Sequence, residues 1–120
     1  MTNRYLWFIP PIAVAIGIFL LSTFLSFPVQ VEGVSYLDKI EHCFAYLVLT
    51  IGFLIAFKKA QLLNHRIALA ILISASTYGF SLELAQYIFF PNRFFEWIDA
   101  CANVLGSLIG FGLFKLIFRG

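Results

Sequence analysis

Asp38, His42 and Tyr46 follow one another at intervals of four residues, a spacing that lines them along one stripe of a helix. At 1.5 Å per residue, His42 lies roughly 6 Å and Tyr46 roughly 12 Å further along that stripe than Asp38. Glu83 and Gln86 stand three apart in an otherwise apolar run, and Asp99 and Asn103 stand four apart in another. Carboxylates and an imidazole in such settings are suited to proton transfer, nucleophilic attack or anion recognition once neighbouring groups tune them. Two bases, Lys39 and Arg93, accompany these acids, and an arginine is adapted to bidentate contact with phosphate.

The elements that must carry these residues are membrane helices. The chain has 120 residues, of which 62% are hydrophobic and 12% charged, with a mean hydropathy of +0.95. Soluble domains are roughly 45–50% apolar and about 25% charged. Apolar runs long enough to cross a bilayer occur at 6–27, 38–57, 67–90 and 98–118. The expected fold is therefore all-α: a single domain over 1–120, a four-transmembrane-helix bundle in which each helix satisfies its own backbone. Fifteen Phe suit a lipid-facing surface. Arg4 followed by the run from Leu6 to Phe27 has the outline of a signal peptide, but the run is longer than a typical h-region and no small-x-small cleavage site follows. It reads as a retained first helix.

Four spans put both termini on one side. Arg4, Lys58, Lys59, Arg66, Lys115 and Arg119 fall on that side, which the positive-inside rule makes cytoplasmic. The acids Glu32, Asp38, Glu41, Glu83, Glu96 and Asp99 fall on the other, in loops or outer halves of helices. A carboxylate as deep as Glu83 costs about 2.5–3.5 kcal/mol by insertion scales, so it should face the bundle interior, paired or protonated. His42, Glu83, Gln86 and Asn103 then form a shallow outer layer, capped by Asp38, Lys39, Arg93, Glu96 and Asp99. The bland reading of the same residues is that they bond helix to helix, at about 0.6–2 kcal/mol per contact. Lys39 and Arg93 admit a bland reading too, as partners of the nearby acids.

Other features point to structure more than chemistry. Gly106 and Gly110 form a GxxxG that admits a close helix, within the chain or from a second copy. Cys43 and Cys101 lie near outer ends, where an oxidising compartment permits a disulfide, although cysteines in apolar helices more often act as small hydrophobes. Asp38, His42 and Glu83 have metal-ligand types. With His65 in the cytoplasmic connector, only one histidine is on that side, and no metal or other cofactor is expected. Nothing in the composition supports nucleic-acid binding.

Three ordered motifs carry a resemblance: Asp38-Lys39-x-x-His42-x-x-x-Tyr46, Tyr78-Gly79-x-x-x-Glu83-x-x-Gln86, and Pro91-x-Arg93-x-x-Glu96-x-x-Asp99-x-x-x-Asn103-x-x-Gly106. Over residues 22–112 the chain resembles the VanZ-like family of small bacterial membrane proteins, in a minimal version with no appended domain. The family's namesake is associated with resistance to the glycopeptide teicoplanin, with no settled biochemical activity. The resemblance therefore implies a multi-pass protein of the bacterial inner membrane that works on the outer leaflet and its cell-envelope precursors. On this expectation Lys39 and Arg93 hold the phosphate of a lipid or lipid-linked precursor, with Tyr46, Gln86, Asp99 and Asn103 contributing to the ligand site. His42, oriented by Asp38, acts as base or nucleophile, and Glu83 as acid. The alternatives are a noncatalytic envelope protein that recognises a lipid, drug or partner, and a small transporter, for which four short spans leave little room.

Overall fold

The computed structural model describes residues 3–23, 36–89 and 97–118, with the side chains of 22–23 and 36–39 excepted. A short 3-10 turn, Arg4–Phe8, leads into α1 (Ile9–Thr23), α2 (Tyr36–Lys59), α3 (His65–Phe89) and α4 (Trp97–Ile117). The protein is all-α with four membrane-spanning helices.

Local chemistry sets several boundaries. The sequence expectation of a first helix from residue 6 is corrected: α-helix begins only at Ile9, because Pro10 and Pro11 follow. Proline lacks an N–H and turns the preceding residues away from α geometry, but it fits the first turn of a helix. The turn before it is capped by Asn3, whose Oδ1 accepts from the Tyr5 N–H at 2.9 Å. α3 starts two residues before its expected position, since Asn64 is an N-cap whose Oδ1 accepts from the Ile67 N–H at 2.9 Å. α2 ends in a Schellman motif. Gln61 has φ of 64°, its N–H reaches the Lys58 carbonyl at 3.0 Å, and the Leu62 N–H reaches the Phe57 carbonyl at 2.9 Å.

Packing radiates from α2, which touches α1, α3 and α4, whereas α1 and α4 do not touch among the described residues. Gly106 and Gly110 explain the close α2–α4 seam. A Cβ on Gly106 would collide with the Cys43 carbonyl, and one on Gly110 would stand 2.8 Å from the Leu47 carbonyl oxygen. Within the chain, these two glycines face α2. α1 sits on α2 where Pro11 meets Gly52, and it is tied to α3 by the Tyr78 hydroxyl, which donates to the Ala15 carbonyl at 2.6 Å.

Polarity is graded along the bundle. At the basic end, Leu54, Ala68, Ile71 and Phe114 form an apolar cluster. Lys58 lies over the Phe118 ring, Lys59 over Trp7, Lys115 over Phe111 and Arg4 over Tyr5, at 5.1–5.8 Å, so each cation keeps an aromatic face beside it at the membrane edge. A second cluster of Tyr46, Leu49 and Ala75 fills the middle. The remaining end is polar.

Candidate functional site

Three helices build the polar end. His42 is in the second turn of α2 and Asp99 in the first turn of α4. Glu83 comes six residues before the last residue of α3, about 9 Å from its end. These side chains converge. One His42 ring nitrogen and one carboxylate oxygen from each of Glu83 and Asp99 all lie within 4.8 Å of one another. The His42 Nε2 to Asp99 Oδ2 separation is 3.9 Å, beyond ordinary hydrogen-bond length. Glu83 is 5% exposed and Asp99 6%, whereas the His42 side chain keeps 26% of its surface open.

One turn deeper on each helix stand Tyr46, Gly79 and Asn103. The absence of a side chain at Gly79 makes room there: an added Cβ would lie 2.9 Å from both Cβ and Nδ2 of Asn103 and 3.1 Å from the Tyr46 ring. Asn103 therefore fills the floor of the layer, 2% exposed, with no hydrogen-bond partner for its Oδ1. Gln86, one turn outward from Glu83, is also buried.

The structure brings His42, Tyr46, Glu83, Gln86, Asp99 and Asn103 to one end of the bundle. Arg93 and Glu96, and the side chains of Asp38 and Lys39, lie outside the described residues. The acid found beside His42 is Asp99, which the sequence had placed in the cap. Cys43 and Cys101 are free, the first half-buried and the second exposed. Sequence reasoning missed Thr50 and Ser107, both fully buried. The Ser107 hydroxyl donates to the Asn103 carbonyl at 3.1 Å, and Thr50 Oγ1 has no partner. Continuing the four-residue spacing past Tyr46 and Asn103 would have found both.

Beside this layer an open groove of about 310 Å³ is lined by Phe80, Leu84 and Tyr87 of α3 and Trp97 of α4. Leu84 and Tyr87 directly follow Glu83 and Gln86 in the chain, so one helix presents polar groups inward and an apolar trough outward.

A sequence model of the VanZ/LLP1 family matches residues 4–119. The chain belongs to the VanZ/LLP1 family. No match is found among curated proteins or among solved structures. In this VanZ/LLP1 protein the motif residues divide into two physical groups. His42, Glu83 and Asp99 meet in space, while Gly79 and Gly106 supply the close helix approaches that let them meet. Chemically, an imidazole and two buried carboxylates can exchange protons with a ligand or bind a cation, and low dielectric strengthens either interaction. Two carboxylates do not attract phosphate unless positive charge accompanies them.

Proposed function

We propose that this protein, as a member of the VanZ/LLP1 family, resides in the bacterial cytoplasmic membrane with both termini inside, and binds at its outer face the phosphate-bearing headgroup of a membrane lipid or lipid-linked envelope precursor. The observation that carries the reading is the convergence of His42, Glu83 and Asp99 at the bundle end away from the basic connectors, next to an open, largely apolar trough. The trough suits an acyl or prenyl chain and the polar layer a headgroup. In this reading Lys39 and Arg93 supply the positive charge, and the imidazole of His42 serves the headgroup either as a proton acceptor or as the ligand of an ion that the headgroup contacts.

The test is binding of polyprenyl phosphate and of anionic phospholipid to purified wild type, Lys39→Ala, Arg93→Ala and, as a cytoplasmic-end control, Lys115→Ala. Loss confined to the first two variants supports the reading, and equal affinity in all four proteins refutes it. The same preparations decide between a binding protein and an enzyme. Phosphate release or headgroup transfer that disappears in His42→Ala marks catalysis, and retention of unchanged lipid marks recognition alone. Tolerance to teicoplanin in cells carrying each variant connects the site to the envelope.

A further inference from the structure

We propose that His42 Nε2 and the carboxylates of Glu83 and Asp99 together hold one divalent cation of zinc type, which presents an open coordination position to the lipid phosphate. The inference deepens the proposed function, and rests on it for the identity of that outer ligand.

Geometry is the first support. Donors bound to zinc at about 2.1 Å in a tetrahedron stand ~3.4 Å apart. The observed 3.9 Å between Nε2 and Oδ2 is therefore too long for a hydrogen bond and about half an ångström from a coordination edge. The third donor lies within the same 4.8 Å, so small side-chain rotations close the set. Each donor comes from a different helix, and those helices are held at fixed spacing by the contacts at Gly79 and Gly106.

Charge is the second. Glu83 and Asp99 are 5% and 6% exposed, with one oxygen of each within 4.8 Å of the other, and such a concentration of carboxylates in a low-dielectric setting favours a bound cation. A divalent cation held among them supplies two positive charges and leaves the imidazole neutral, as a ligand must be. Independently of the triad, Asn103 is 2% exposed with Oδ1 unpartnered. It lies one turn below Asp99 on the buried face of α4 and borders Gly79, which is one turn below Glu83 on α3. One nitrogen and two or three oxygens form a set that suits zinc better than soft copper(I) or the all-oxygen preference of calcium and magnesium. The exposure of His42 leaves the outer side of the cluster accessible to a further ligand.

The experiment uses the full chain in detergent, its affinity tag removed, stripped with EDTA and titrated with Zn²⁺. Metal is counted by mass spectrometry, and Co²⁺ serves as a spectroscopic probe of coordination. About one ion per chain is expected. His42→Ala, Glu83→Gln and Asp99→Asn should each weaken binding at least tenfold, with circular dichroism unchanged, while His65→Ala, Glu41→Gln and Cys43→Ser/Cys101→Ser behave as wild type. Should His42→Ala fail to fold, His42→Cys carries the test, since a thiolate ligand retains the ion and adds a sulfur-to-cobalt absorption band. Wild type that takes up no Zn²⁺, or Zn²⁺ retained at full affinity in all three ligand variants, overturns the site. Polyprenyl phosphate binding indifferent to EDTA overturns the bridging role and leaves the lipid reading intact, with Lys39 and Arg93 as its cations. Specific Zn²⁺ binding without any lipid binding supports the ion site and refutes the lipid reading.

Discussion

Replacing Gly106 by alanine tests the α2–α4 seam on which the polar layer depends. The added Cβ would overlap the Cys43 carbonyl oxygen and stand 2.8 Å from its carbon and 3.0 Å from its Cα. All three are backbone atoms of a helix interior and cannot rotate away. Overpacking of this kind costs typically about 1–3 kcal/mol, against a gain of ~1 kcal/mol from the better helix propensity of alanine. The net expectation is a loss of up to about 2 kcal/mol. Gly112 lies six residues further along the same helix and has open space around it, so Gly112→Ala carries the propensity gain without the collision. Unfolding in mixed micelles, followed by circular dichroism, should rank Gly112→Ala above wild type and wild type above Gly106→Ala. The substitution also pushes His42 and Asp99 apart, because Cys43 adjoins His42 and Gly106 lies two turns below Asp99. Short-reach crosslinking between His42→Cys and Asp99→Cys, in a background lacking the native thiols, should fall in the Gly106→Ala protein. If Gly106→Ala matches Gly112→Ala in stability and leaves crosslinking unchanged, the close approach is refuted.

The orientation predicts that a cysteine at Asn64, in a chain otherwise free of thiols, stays unlabelled by an impermeant reagent on intact cells while one at Ser35 reacts; the reverse pattern would invert the site. Gln61→Gly should raise unfolding free energy by up to about 1 kcal/mol, because a left-handed backbone strains any residue with a Cβ. The hydrogen bond that its side chain accepts from the Arg4 guanidinium, at 3.3 Å, is exposed to solvent and offsets little of that gain. Tyr78→Phe removes the hydroxyl that joins α3 to α1 and should lower stability by about 1 kcal/mol in the same micelle assay, with Tyr87→Phe, on the lipid side of α3, as a neutral control.

Much of the layer was legible because helical spacing alone puts His42 with Tyr46, Glu83 with Gln86 and Asp99 with Asn103 on common stripes, and because the cost of a carboxylate in lipid forces Glu83 inward. Which stripe faces which is a different kind of information. It depends on crossing angles and on how closely helices approach, so the meeting of Asp99 with His42 and Glu83 was not readable from any one segment. The GxxxG announced a close neighbour but could not say that the neighbour was α2 of the same chain. The start of α1 was readable in principle, since Pro10 and Pro11 stand in plain view inside the apolar run; hydropathy counted them as part of a span, whereas backbone sterics start the helix there.

Gly79 and Asn103 behave as one object in two pieces. The asparagine occupies volume that the glycine gives up, so neither can be exchanged independently: a larger residue at 79 evicts the amide, and a smaller one at 103 leaves a void beside Tyr46. Anyone transplanting this polar layer into a designed helical bundle would need to carry over the vacancy along with the side chains, and cut the host helix back to bare backbone wherever the guest asparagine is to lie.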